Sequence, residues 1–205
     1  MDKRRHNELK KKRKARLKRK RQQMKNLNAA LSESKYMFRE YLVNCDDALA
    51  LMEPADGRIY RLVHNPHLEI DIYPTSLWDY DSLTPKRMEE KQTISAGSSL
   101  EDQQEQLREY TPSFNISSEG AVKPFLGRLK KMKTFQQFSH FKNTKGSHIF
   151  AYDVTPKDGM MWAEPDGHVS FLPYENFALA EHVALDFTPV PIEKYCENIN
   201  SNTKK

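Results

Sequence analysis

His148–Leu172 reads HIFAYDVTPKDGMMWAEPDGHVSFL, and this stretch settles the fold class. Three runs of apolar, β-branched and aromatic residues, His148–Val154, Met160–Glu164 and His168–Leu172, are separated by Pro156-Lys-Asp-Gly159 and Pro165-Asp-Gly167. Proline presets the first corner of a turn, and Asp-Gly fills the positions that need unusual φ, so each link is a tight reversal. Short runs joined this way predict a three-stranded antiparallel meander.

Working outward, Tyr174–Glu181 reads as a short helix and Val183–Phe187 as a last strand, before Pro189 and Pro191 lead into a polar tail over 191–205. Upstream, Phe125, Leu129, Met132, Phe135, Phe138 and Phe141 recur every three or four residues. That period predicts one or two helices over 122–142, with Thr134 as the break between them. Periodic Phe at helical spacing forms a core face, which leaves Arg128, Lys130, Lys131 and Lys133 as an exposed basic patch. The same run also has the composition of a base-stacking surface, with Phe135 or Phe138 as the platform.

Two further strands are expected at Arg58–Val63 and Leu68–Tyr73, with Ile59, Leu62, Ile70 and Ile72 inward and His64-Asn-Pro-His67 between them. From Thr84 to Glu119 large apolar residues are few, which predicts a flexible surface insertion over 84–120. Within it, Ser99 and Asp102 form a capping box for a helix over Leu100–Tyr110.

Asp2 to Glu53 contains no Gly and no Pro and is rich in strong helix formers. Leu17, Met24, Leu31, Phe38, Cys45 and Met52 recur at strict spacings of seven, with Leu27, Tyr41 and Ala48 in a second heptad position. This predicts one long helix, or two broken near Ser32–Ser34, whose half over 26–53 is amphipathic. That half packs on its own domain or, in the alternative, on a second copy. The expected architecture is thus α+β: a long basic N-terminal helix and a small antiparallel sheet of about five to six strands, meander- or barrel-like, covered by one or two helices. The body comprises 54–83 and 121–190.

Charge carries the functional reading. Residues 1–25, MDKRRHNELKKKRKARLKRKRQQMK, hold fourteen Lys or Arg against Asp2 and Glu8, a net charge of +12. The whole chain carries +5, so residues 26–205 carry −7. An acidic body with one intensely cationic arm points to a polyanion partner, nucleic acid first. The phosphate-contacting residues are Lys3, Arg4, Arg5, Lys10, Lys11, Lys12, Arg13, Lys14, Arg16, Lys18, Arg19, Lys20, Arg21 and Lys25, with Arg128, Lys130, Lys131 and Lys133 as the secondary patch. DNA and RNA both fit. Asn26-Leu-Asn-Ala-Ala30 has the Asn and Ala pair of a zipper-type basic region, but Glu33-Ser34 stands where Ser-Arg belongs and the charge lies ahead of it.

Rival readings have less behind them. The first is a structural or regulatory interaction protein, as in a viral or nucleoprotein particle, assembling through 27–52 and gripping acidic partners with the arm. The second is a metal-dependent nuclease, with Asp79 or Asp81 set against Glu89 and Lys91; the apolar strand that should carry such a motif is missing. His64-x-x-His67 is the only close histidine pair and has no cysteine nearby, so no metal or other cofactor is expected. No phosphate-binding Gly loop or nucleophile elbow occurs, and a non-enzymatic protein is expected. Cys45 and Cys196 fit reduced thiols. With no apolar run long enough to span a bilayer and no secretory pattern, the expectation is an intracellular protein, cytoplasmic or nucleic-acid-associated, without a membrane partner.

Trp162–Asn176, WAEPDGHVSFLPYEN, together with Ala151-Tyr-Asp-Val154, resembles the Trp, distal-turn and Pro-x-Asn region of SH3 domains. The spacing departs from that family on both sides of Trp162. The resemblance implies a small antiparallel barrel or sheet, with Tyr152, Trp162, Pro173 and Tyr174 as an aromatic groove.

Overall fold

The computed structural model describes residues 36–79, 82–85 and 93–196. In chain order the strands are β1 (Glu53–Pro54), β2 (Gly57–Val63), β3 (Trp78–Asp79), β4 (Thr84–Pro85), β5 (Ser113–Asn115), β6 (His148–Val154), β7 (Gly159–Ala163), β8 (His168–Pro173) and β9 (Val190–Pro191). The α-helices are α1 (Asp46–Leu49), α2 (Leu100–Tyr110), α3 (Ser118–Val122), α4 (Leu126–Lys131) and α5 (Phe135–Lys145). The fold is mixed α+β. A seven-stranded antiparallel sheet has the order β1-β7-β8-β5-β2-β6-β9, and β3 pairs with β4 separately.

Register fixes what each face of the sheet carries, because successive residues of a strand point to opposite sides. Ile59 lies opposite Tyr152, Arg61 opposite Phe150 and Val63 opposite His148. These share a face with Phe114, Val169 and Phe171, and Ile72, Phe177 and Leu179 close over it. On the other face, Leu62 and Ile149 lie beneath Val122, Leu129, Phe138 and Phe141 from α3, α4 and α5, with Ile192 and Cys196. Toward the β7 end, the same side carries Met160 and Leu172 under Leu107 and Tyr110 of α2 and a cluster from residues 36–52. Cys45 and Cys196 are both free and buried. Among the described residues no helix is long and apolar enough to cross a membrane.

The Pro-Asp and Asp-Gly links separate β6, β7 and β8 where expected, and β7 pairs with β8 as a hairpin. The three-stranded meander is corrected: β6 pairs with β2 on one side and β9 on the other, so β5 and β2 stand between it and the β7–β8 hairpin. The capping boxes at Ser99–Asp102 and Thr134–Gln137 start α2 and α5.

Five further expectations are corrected. The described part of the N-terminal helix, 36–52, is a series of turns: Tyr36 bridges to Tyr174, Arg39–Tyr41 is 3-10, and α1 is four residues long. Phe38 and Asn44 adopt φ of 65° and 64°, which interrupts the helical ladder, and Asn44 Nδ2 donates to the Ile94 carbonyl. Tertiary packing overrides propensity here, yet the seam residues Phe38, Cys45 and Met52 are buried, along with Leu42 and Leu49. The rest of that helix lies outside the described residues.

Leu68–Tyr73 is a 3-10 turn over Glu69–Ile72 and not a strand, because the Asp71 carboxylate accepts from the backbone N–H of Leu68 and of His64 and folds the segment back. The insertion expected over 84–120 is part of the body where described. Leu107 and Tyr110 are buried, and β5 sits between β8 and β2. Tyr174–Glu181 contains only a 3-10 turn at its end, Leu179–His182. Val183–Phe187 makes a single bridge to Tyr152 and leaves Leu185 fully exposed; β9 forms the edge in its place.

Candidate nucleic-acid interface

The arm residues Lys3 to Lys25 lie outside the described residues, as do Asp81, Glu89 and Lys91. The described basic surface is built on α4 and α5. Residues 121–145 contain seven Lys or Arg and no acid, a net +7, which leaves −14 for the rest of residues 26–205. Leu129, Met132, Phe138 and Phe141 point into the core, so the residues between them are driven outward. Arg128, Lys130, Lys131 and Lys133 are all exposed, as the secondary patch requires.

The Arg128 guanidinium lies 5.4 Å from the centroid of the buried Phe141 ring, a cation–π contact that holds it near the helix surface. Among the described residues, no carboxylate lies within ion-pair distance of Arg128, Lys131 or Lys133, whereas Lys142 pairs with Glu193 at 2.8 Å. Between α4 and α5 a cleft of about 230 Å³ is lined by Arg128, Lys131, Met132, Gln137 and His140. Gln137 is held in place, since its side-chain oxygen accepts from the backbone N–H of Lys133 and Thr134. Phe135, in the first turn of α5, is 79% exposed, while Phe138 one turn on is 4% exposed. Periodicity assigned both rings to one face; helix start position separates them.

A second polar cluster lies inside the protein. His64 Nδ1 is 2.7 Å from Asp71 Oδ1 and Nε2 is 3.1 Å from the Asn143 carbonyl, so both ring nitrogens face acceptors. Burial alone depresses the His64 imidazole, but the hydrogen bond and charge of Asp71 outweigh it and the pKa is raised. His67 Nε2 lies 2.7 Å from the Tyr152 hydroxyl, and burial lowers its pKa. Arg61, on the same face, donates to the carbonyls of Tyr73 and Ser113 and stacks 5.2 Å over Phe114. Burial lowers its pKa to about 10, which still leaves it charged at neutral pH. Every polar side chain here is committed to an internal partner, so the cluster locks the turn at 64–72. Among the described residues no group of His, Cys, Asp and Glu is arranged to hold a metal ion.

The aromatic groove implied by the SH3 resemblance is not assembled. Tyr152 is fully buried, Tyr174 packs on Tyr36 at 4.9 Å, and Trp162 lies under the Arg108 guanidinium at 5.6 Å. No protein family, curated protein or solved structure matches this chain.

Proposed function

We propose that this protein binds nucleic acid without catalysing a reaction on it, gripping the phosphate backbone through the Lys/Arg-rich residues 3–25. The observation that carries the reading is +12 within twenty-five residues, on a chain whose remainder is net negative. Phosphate neutralisation needs dense cations and little geometry, and each phosphate contacted releases close to one counterion. A body of −7 repels the same backbone outside its own basic patch, so it orients the contact instead of spreading it. The arm is mostly Lys, a flexible point charge, which suits strong and weakly selective binding.

Mobility-shift titrations with duplex DNA, structured RNA and single strands test this. Binding should fall linearly in log K against log salt with a steep slope. Deleting residues 2–25 should abolish most of the affinity. Undiminished binding by the deleted protein, or a flat salt plot, contradicts the proposal.

A further inference from the structure

We propose that the α4–α5 surface is a second nucleic-acid contact that takes single strands, with the flanking phosphates on Arg128 and Lys131 at the cleft and on Lys133, and a base stacked on Phe135 at the start of α5; this rests on the nucleic-acid reading above. Three observations converge on it. The segment is purely cationic over 121–145, so its partner is an anion. The cleft lies between Arg128 and Lys131 on one helix and Gln137 and His140 on the next, and it offers donors at both walls. Phe135 does not itself line the cleft; it is the first residue of α5, two residues after the exposed Lys133, and is left 79% exposed, although an aromatic ring gains from burial.

The chemistry selects the occupant. An exposed ring in a segment that carries cations and no acid matches an unpaired base joined to phosphates, since every base has a π-face that stacks on an aromatic side chain. A duplex hides those faces in its own stack and offers the ring only phosphate and sugar. An anionic membrane is a poorer fit, because among the described residues the other large exposed apolar side chains, Val43, Leu51, Leu100, Ile116 and Leu185, all lie outside α4 and α5. Phe138 and Phe141, which share the period, are buried and take no part.

The test uses the full chain as wild type, Phe135→Ala, Phe135→Trp and the triple variant Arg128→Gln, Lys131→Gln, Lys133→Gln. The probes are a twenty-nucleotide single strand carrying 2-aminopurine, its duplex, and vesicles of phosphatidylserine and phosphatidylcholine. Phe135→Ala should weaken single-strand binding by roughly ten-fold or more and leave duplex binding unchanged. In Phe135→Trp the new indole fluorescence should be quenched by the single strand and not by the duplex, and the triple variant should weaken the single strand most. Equal single-strand affinity in wild type and Phe135→Ala overturns this inference while leaving arm-driven binding intact. Tighter binding to the vesicles than to the single strand overturns it in favour of a membrane. A wild type that binds neither strand form removes the functional reading itself.

Discussion

His64 Nδ1 and Asp71 Oδ1 are 2.7 Å apart with both side chains buried, and the far nitrogen of the same imidazole faces the Asn143 carbonyl. Only the doubly protonated ring satisfies both acceptors. His67, three residues on, is held by Tyr152 and is better off neutral. The two histidines should therefore titrate apart in a proton NMR pH series, His64 above about 6.5 and His67 below it. Their effects on stability oppose each other. The His64 contribution is full below the unfolded pKa and is lost as pH rises through its raised folded pKa. His67 adds a penalty as pH falls below the unfolded value, because the unfolded chain takes up that proton more readily. His64→Gln should remove the decline on the alkaline side, and an unchanged pH profile in that variant contradicts the assignment.

Gly146 closes α5 at φ 107°, and a Cβ there falls 2.6–2.8 Å from the Val63 backbone. Gly146→Ala should cost about 1–3 kcal/mol through strain alone, read as a fall in melting temperature. Gly127, within α4, has nothing within 4 Å of its Cβ position. Gly127→Ala should stabilise by about 0.5–1 kcal/mol. The pair of opposite signs is the check.

Leu42 has no solvent exposure and packs in the cluster with Leu49, Leu107 and Leu172. Leu42→Ala should destabilise by about 2–5 kcal/mol in a urea titration. Leu185→Ala, at a fully exposed site, should leave the midpoint unchanged. An unshifted midpoint for Leu42→Ala means that 36–52 does not pack on the sheet.

Replacing Arg13, Arg16 and Arg19 together by Lys keeps the arm's charge and removes only bidentate geometry. Affinity for a random-sequence duplex should change little. A large drop, or a sharp motif from a random-library selection, means that the arm reads base edges.

What the sequence revealed depended on whether the signal was local. Proline and Asp-Gly links act within four residues, so the extents of β6, β7 and β8 and the β7–β8 hairpin could be placed, whereas the pairing of β6 with β2, far upstream, could not. The capping box at Ser99 and the break at Thr134 mark their helix starts for the same local reason. Residues 36–52 failed because uninterrupted helix propensity says nothing about Tyr36 pairing with Tyr174, 138 positions away. Strand β5 offers one large apolar residue, Phe114, and its partners Tyr60 and Val169 are too distant in sequence to lend it a period. On the basic surface the cations were legible, whereas the different fates of Phe135 and Phe138 depend on where α5 begins.

The edges of the large sheet are β1 and β9, each two residues long, and each ends in a proline, Pro54 and Pro191. A proline has no amide hydrogen to offer an incoming strand, and two residues make too short a rail for another chain to extend. The body is thus guarded at both margins against sheet growth. If the arm binds a polyanion as proposed, neighbouring copies crowded along one scaffold are kept from zipping into aggregates through their strands.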